Sequence, residues 1–374
     1  MLLSTLGVEA SSLEEALSQT SVEGYVRGTY QSHDVSNDRV YRDDAFGGKL
    51  HLETGAMEGV SMGLSLYSSN ALLHHDNGGL IPLRGESDQS YAIVGEAYLQ
   101  SEFGKNIVRI GRQEIDTPFA QIDDIGMVPN TFEAITLQNT TLDDTRLFLG
   151  HLREMAGVDA SVVDKFTALN GQRGVQVVGV SYAGVEDLEL QGWYYRLHKA
   201  QVDKIAFLEA DYERSIKSMS YGMGLQYAKQ DYALEEDAKL YGITLSAALD
   251  PMGLIFSGAY TKVEGNAVTS GFGGGPFYSN SEYLIVDNAG ADGEAMWYGV
   301  EYAPTSSRLE GLTLALGRVS LVDKQGEEAT EVDWIMSYEL NKNLELHGVF
   351  SNLKASHVDE DDAKHLRVFA NYHF

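Results

Sequence analysis

The last ten residues, His365-Leu366-Arg367-Val368-Phe369-Ala370-Asn371-Tyr372-His373-Phe374, divide into two faces with a period of two. Leu366, Val368, Ala370, Tyr372 and Phe374 share one face, and His365, Arg367, Phe369, Asn371 and His373 share the other. Successive side chains of a strand point to opposite sides, so the stretch reads as a strand with one apolar and one mainly polar surface. The pattern recurs at the other end of the chain, where Val22, Gly24, Val26, Gly28 and Tyr30 alternate with Glu23, Tyr25, Arg27 and Thr29. It recurs again where Val332, Trp334, Met336, Tyr338 and Leu340 alternate with Glu331, Asp333, Ile335, Ser337 and Glu339. A membrane barrel around a wet lumen needs apolar-out and polar-in alternation, whereas a soluble sandwich turns its polar face outward. One strand fits both. The number and length of the strands separate them.

Segments of this kind lie near 21–32, 45–54, 60–69, 90–103, 106–113, 131–139, 145–154, 174–182, 187–197, 203–212, 219–230, 238–249, 253–262, 295–303, 311–321, 330–340, 344–354 and 364–374. Each is about 10 residues long, the length of a tilted strand crossing a bilayer. There are eighteen, an even number that puts both termini on one side, expected to be the periplasm of a Gram-negative bacterium. Their connections alternate short and long, as in 55–59 against 70–89 and 104–105 against 114–130, matching short periplasmic turns and long external loops. The reading is therefore all-β: one antiparallel transmembrane barrel of 18 strands over 21–374. Tyr98, Tyr182, Tyr227, Tyr260 and Tyr302 fall at strand ends, where interfacial aromatic girdles belong.

Composition narrows the alternatives. No apolar run approaches the ~18 residues a spanning helix needs, so a helical membrane protein is excluded. The chain of 374 residues holds no Cys, which suits passage through an oxidising compartment. Lys and Arg number 27 against 55 Asp and Glu, a formal charge of −28, and no basic face for nucleic acid is implied. Acidic external loops, tolerated by divalent cations at a lipopolysaccharide-rich surface, account for that balance. Residues 1–20 are expected to be a signal-peptide remnant and lead-in, since Met1 to Ala10 begins with an apolar stretch and continues into small residues.

The most specific stretch begins at Arg109-Ile110-Gly111-Arg112-Gln113. It continues through Asp116-Thr117-Pro118-Phe119, Asp123-Asp124 and Met127 to Pro129-Asn130-Thr131-Phe132-Glu133. It resembles the third external loop of OprD-family porins, which folds inward and narrows the pore. The resemblance extends to Val26-Arg27-Gly28-Thr29-Tyr30, to Tyr283-Leu284-Ile285-Val286-Asp287 and to the final strand bearing Arg367. It implies an eighteen-stranded, substrate-selective barrel through which small polar solutes or ions, often carboxylates, diffuse passively along a row of lumen cations. The chain departs from that pattern in being sparse in Arg. The terminal Phe374 with Tyr372 resembles the signal read by the barrel-assembly machinery. Family members are often weakly associated, so a monomer or weak homotrimer is expected, with small solutes, outer-membrane lipid and lipopolysaccharide as partners and no nucleic acid.

The candidate constriction residues are Asp116, Thr117, Pro118, Phe119, Asp123, Asp124 and Glu133, and the candidate pore cations are Arg27, Lys49, Arg109 and Arg367. The last strand must pair with the first for the barrel to close. Counting from Ser21 and Phe374 then places Arg27, Arg367 and Lys49 at similar depth, facing the carboxylates of the inward loop. No catalytic residue, metal or cofactor is expected. Gly59-Val60-Ser61-Met62-Gly63 matches a nucleophile-elbow pattern but opens a period-two strand instead of a strand–turn–helix. His74-His75-Asp76-Asn77-Gly78 lacks spaced second ligands. No helix follows Gly273-Gly274-Gly275 to make a phosphate cradle, and Asp359-Glu360-Asp361-Asp362 lacks calcium-loop spacing. The rival reading is an outer-membrane barrel with a hydrolase or adhesion role.

Overall fold

A computed structural model describes residues 10–35, 40–75, 81–86, 88–197, 201–305, 309–355 and 362–374. The start of the 1–20 lead-in, most of the His74 to Gly78 stretch and residues 359–361 of the acidic run lie outside the described residues. In chain order the strands are β1 Ser21–Val35, β2 Val40–Glu53, β3 Val60–His75, β4 Tyr91–Phe103, β5 Asn106–Gln113, β6 Thr131–Asn139 and β7 Thr145–Ala156. A two-residue strand, β8 Thr167–Ala168, follows. Next come β9 Val175–Val185, β10 Leu188–Arg196, β11 Val202–Ile216, β12 Met219–Tyr232, β13 Ala238–Leu249 and β14 Leu254–Gly265. The last five are β15 Glu294–Tyr302, β16 Leu312–Val322, β17 Glu328–Asn341, β18 Leu344–Ala355 and β19 Ala363–His373.

Leaving out β8, which adds a short pairing to β7, eighteen strands pair antiparallel with their neighbours, and β19 closes on β1 from Tyr25↔His373 to Val35↔Ala363. All eighteen segments expected from the sequence are strands here, with ends shifted by a few residues. Closure leaves no unpaired edge, which is what lipid demands of a sheet. Leu64, Leu99, Ile110, Leu208, Leu245 and Trp334 are among many large apolar side chains exposed on the outer face. A band of that extent is a membrane surface. Among the described residues no helix is long and apolar enough to cross a membrane, so crossing is by strands.

One end of the barrel carries tight turns and the other carries long loops. The two-residue turns 104–105 and 217–218 need φ > 0 to match strand twist, and Gly104 (φ 60) and Lys217 (φ 59) supply it. The turn end also receives residues 10–20. Helix α1, Leu13–Ser18, is capped by Ser12 and buries Ala16, whose carbonyl accepts from Gly55 N at 3.0 Å. Phe374 is tied into the wall, exchanging backbone hydrogen bonds of 3.0 and 3.1 Å with Gly24.

The inward face is not uniformly polar, contrary to the simple alternation. Towards the loop end Tyr195, Ile205, Phe207, Leu240, Val263 and Leu321 point inward and are buried. They form one core with Ile115 and Phe119 from the 114–130 loop and Leu284 and Val286 from the 266–293 loop. Loops that enter the lumen need an apolar bed, and these inward positions provide it. Tyr98, expected in an outer girdle, also turns inward and is 6% exposed.

Candidate functional site

Two loops meet inside the barrel. The first, 114–130, folds inward as its sequence suggests. Phe119 is fully buried, with ring centroids 5.4 Å from Tyr195, 5.6 Å from Phe207 and 5.8 Å from Phe277. Its backbone N–H donates to the Tyr195 hydroxyl at 3.2 Å. Thr117 is buried and pairs with Ala120 through backbone bonds of 2.9 and 3.1 Å, with Pro118 at the bend between them. Met127 and Val128 pack into a second core with Tyr67 and Leu83. Asp116 is left exposed.

The second loop, 266–293, lies against the first. Phe272 N donates to Phe119 O at 2.9 Å and Gln121 N donates to Phe272 O at 3.1 Å. Such an approach needs residues without side chains. A Cβ on Gly271 (φ 85) would stand 2.6 Å from Phe119 O, and one on Gly273 (φ 111) would stand 2.6 Å from the Asn130 amide. The run from Gly271 to Gly275 is therefore a seat for the neighbouring loop. The far part of this loop is held by acids of the wall. The Glu331 carboxylate accepts from the backbone N–H of Tyr283 (3.2 Å) and Leu284 (2.6 Å), and Asp333 accepts from Ser281 Oγ. Tyr278 Oη donates to Asp211 at 2.8 Å, and Tyr283 stacks on His365 with centroids 3.7 Å apart.

The candidate cations enter this construction one by one. Arg27 is 4% exposed, between the rings of Tyr25 (4.7 Å) and Phe369 (5.0 Å). Its guanidinium grips both Asp124 oxygens at 2.6 and 2.7 Å, donates to Gly126 O at 2.7 Å, and reaches Asn371 from Nε at 2.8 Å. Arg367 pairs with Glu282 of the second loop at 2.7 Å. Lys49 lies between Glu114 (2.8 Å) and Glu96 (3.1 Å). Arg109 donates to Gln100 at 2.6 and 3.0 Å and covers the Tyr98 ring at 4.1 Å.

Three expectations change. The cations are not level: Arg27 is opposite Asn371, whereas Arg367 is opposite Gln31, four positions nearer the loops, or ~13 Å along a strand. Counting from the two chain ends misses this because β1 begins below the end of β19, a consequence of the stagger that closes a barrel. Second, the loop acid Asp124 does not face Arg27 across a gap but sits on it. Third, Glu133 is not in the constriction. Its neighbours Phe132 and Ala134 are buried inward, and Glu133 stands on β6, 3.4 Å from Arg153, whose side chain is 60% exposed.

Asp123 is partly buried inside the barrel, where the 114–130 loop meets Asp159 and Gly274. Burial, reinforced by Asp159 beside it, pushes its carboxyl up to about 7, partly offset by a backbone hydrogen bond at Gly274. Asn130 Nδ2 donates to Asp159 Oδ2 at 2.6 Å, so this acid pair links the first loop to the 157–174 loop. On the second loop, Asp287 is pushed up by burial although Ser270 donates to it twice, at 2.7 and 2.8 Å. Among the described residues no group of three or more potential ligands could hold a metal ion.

A lumen narrowed by inward loops in an eighteen-stranded wall is the architecture of a porin. Residues 56–372 match the family model described as outer membrane porin, OprD family. The chain belongs to that family. Solved structures agree on the fold. Pseudomonas aeruginosa OccK9 (OpdG) superposes with a TM-score of 0.81 at 18% identity, over 96% of this chain and 99% of that one. Acinetobacter baumannii OccAB3 gives 0.81 at 16% over 96% and 99%, and P. aeruginosa OccK8 (OprE) gives 0.79 at 16% over 96% and 98%. Comparison with curated proteins finds none similar in sequence. Within the OprD frame, the 266–293 loop is what sequence reasoning undervalued. The signals that mark it are the Gly271 to Gly275 run and the inward acids Glu331 and Asp333 on a facing strand.

Proposed function

We propose that this OprD-family porin passes small polar solutes by diffusion and favours those that carry a carboxylate together with a positive group. The observation behind this reading is that Arg27, Lys49 and Arg367 each meet a carboxylate of the protein at or near the constriction. A free anion must displace Asp124 or Glu282 and leave it uncompensated in a narrow, low-dielectric passage. A dipolar solute exchanges both partners at once, its carboxylate taking the guanidinium and its cation taking the released acid. Glu23, Glu53, Glu102, Glu213, Glu301 and Glu345 occupy inward positions near the turn end and oppose free anions further. Selectivity then comes from lumen electrostatics and pore width, with no cofactor or nucleophile in the mechanism.

The orientation follows the general rule for such barrels: loops outside, turns and both termini in the periplasm of a Gram-negative cell, as a monomer or weak homotrimer. Tyr372 and Phe374, both about half exposed on the outer wall, suit a signal read by the barrel-assembly machinery. The rival hydrolase reading has one feature to examine. Asp333, Ser351 and His365 lie in one row across three strands. Among the described residues Ser351 Oγ and His365 Nε2 have no hydrogen-bond partner, so no nucleophile–base bond joins them, and Tyr283 covers the histidine.

Liposome swelling compares a zwitterionic amino acid with a dicarboxylate of similar size. The zwitterion is expected to enter several-fold faster, and Arg27→Gln with Arg367→Gln is expected to erase that difference. Equal entry of the two solutes into wild-type liposomes rejects the preference while leaving the porin assignment intact.

A further inference from the structure

The outer wall carries cations too, and most near the loop end are already matched. Lys229 pairs with Asp231 (2.7 Å) and Asp237 (3.2 Å), Lys204 with Asp231 (3.5 Å), and Lys262 with Glu294 (2.7 Å). The stretch from β16 to β19 differs. There Arg318, Val332, Asn352 and Lys364 stand in register on four adjacent strands, and Lys354 is opposite Thr330 one step towards the loops. The outward neighbours Leu316, Trp334 and Phe350 fix the facing of these positions. Among the described residues the ion pair of Arg318 is a long approach of 4.0 Å to Glu328, which Ser320 engages at 2.6 Å. Lys354 and Lys364 make no ion pair among the described residues. Arg318, Lys354, Thr330 and Asn352 line an open groove of about 430 Å³ together with Val332 and the two acids Glu328 and Asp362, and Lys364 stands beside it, opposite Asn352.

Directly below this groove the wall turns apolar. Leu316, Trp334 and Phe350 are 42%, 46% and 37% exposed and stand in register, with the Trp334 and Phe350 rings 5.4 Å apart. We infer that this groove binds a phosphate group of lipopolysaccharide, with the acyl chains lying down the Leu316, Trp334 and Phe350 wall. An amphiphile of that kind puts anionic phosphates immediately above hydrocarbon, which is the order of chemistry on this face. The two ends of the row, Arg318 and Lys364, are three strand spacings apart, or ~14 Å, a span suited to a disaccharide phosphorylated at both ends. Guanidinium and ammonium groups supply charge-assisted bonds to phosphate oxygens, and Thr330 and Asn352 supply neutral ones. The placement rests on the proposed orientation, since only the outer leaflet holds this lipid.

Native mass spectrometry of the full-length barrel in detergent, titrated with purified bis-phosphorylated lipid A, tests the site. Arg318→Gln, Lys354→Gln and Lys364→Gln together are expected to weaken binding at least ~tenfold, the loss of one or more charge-assisted contacts. The control triple Lys204→Gln, Lys229→Gln and Lys262→Gln removes equal charge from the same rim and is expected to leave binding unchanged. Lipid A without phosphates and phosphatidylglycerol are expected to bind no better to wild type than to the first triple. Equal loss in both triples, or equal retention of phosphatidylglycerol and lipid A by wild type, overturns the inference. Thermal unfolding of each variant in the same detergent separates lost binding from lost fold.

Discussion

The two loops that fill the lumen are held there by different balances of side-chain and main-chain contact. The 114–130 loop inserts Phe119 among three aromatic rings and clamps Asp124 with one guanidinium, so its main anchors are side chains, with main-chain bonds at Phe119 and Gly126 beside them. The 266–293 loop offers backbone N–H groups to Glu331 and leans glycines against its neighbour, so much of its anchoring is main chain. Side-chain anchors leave a signature in the loop's own sequence. Main-chain anchors leave theirs elsewhere, here as paired acids at inward positions of β17. The porin therefore shows one constriction loop plainly and hides the other.

The largest difference between the two modes is expected from Phe119→Ala. Removing a fully buried aromatic ring costs about 3–5 kcal/mol where the site cannot collapse, and it empties the space among Tyr195, Phe207 and Phe277, while Met127 and Val128 hold only the far end of the loop. Single-channel conductance in planar bilayers is expected to rise well above wild type as the first loop leaves the wall. Because Phe272 is bonded to Phe119 and Gln121, the second loop should loosen with it. Unchanged conductance shows instead that the 266–293 loop alone sets the narrowest point.

Glu331→Ala comes next. It strips the acceptor from two backbone N–H groups, a loss of about 2 kcal/mol when no replacement is found. Conductance is expected to rise less than for Phe119→Ala, while the first loop keeps its place. Glu331→Gln retains one acceptor oxygen and is expected to fall between Glu331→Ala and wild type. If both variants conduct like wild type, the remaining contacts of Tyr278, Tyr283 and Leu284 suffice and the contrast between the loops is weaker than drawn.

Much of this was legible in the sequence for a physical reason. Period-two alternation survives wherever one face meets lipid, so Val332 to Leu340 and Leu366 to Phe374 announce strands without tertiary information. The inward apolar positions were not legible as such. Phe207 or Leu240 on the lumen face makes sense only once a loop is known to cover it. Arg27 and Arg367 were correctly placed on adjacent strands and the polar face, but their relative height depended on stagger, which no single strand encodes. Asp124 was assigned to the inward loop, yet whether it opposes or touches Arg27 is a matter of a few ångströms.

That contact sets the third prediction. Asp124 is partly exposed, 40% by side chain, so solvent screens the pair and its coupling with Arg27 is expected at only about 1 kcal/mol. A double-mutant cycle of Arg27→Gln and Asp124→Asn, read by thermal unfolding in detergent, measures it. Arg27→Gln alone should also move the reversal potential in a salt gradient towards cations, since a lumen positive charge is lost. Additive single effects with no shift in reversal potential make the pair structurally and electrically silent.

The smallest change in mean conductance is expected from Asp123→Asn, because Phe119 still anchors the loop. Its effect should appear in the pH dependence of channel noise. Asp123 has a carboxyl raised from 3.8 to about 7 where it is buried beside Asp159. The docked state thus holds a proton that a released, solvated loop gives up at lower pH. Docking is fully favoured below about pH 4, weakens as pH rises from about 4 through 7, and changes no further above that. Wild-type recordings are therefore expected to flicker more at pH 7 than at pH 5, as like charges on the 114–130 and 157–174 loops develop. Asp123→Asn keeps a hydrogen-bonding side chain of the same shape without the charge, so its noise should stay near the pH 5 level throughout. Asp159→Asn should flatten the profile only in part, since burial, the larger cause of the shift, remains when the neighbour's repulsion is gone. A flat wild-type profile from pH 5 to 7 would mean that the acid pair does not govern loop release, leaving it to the aromatic cluster and the Arg27–Asp124 clamp.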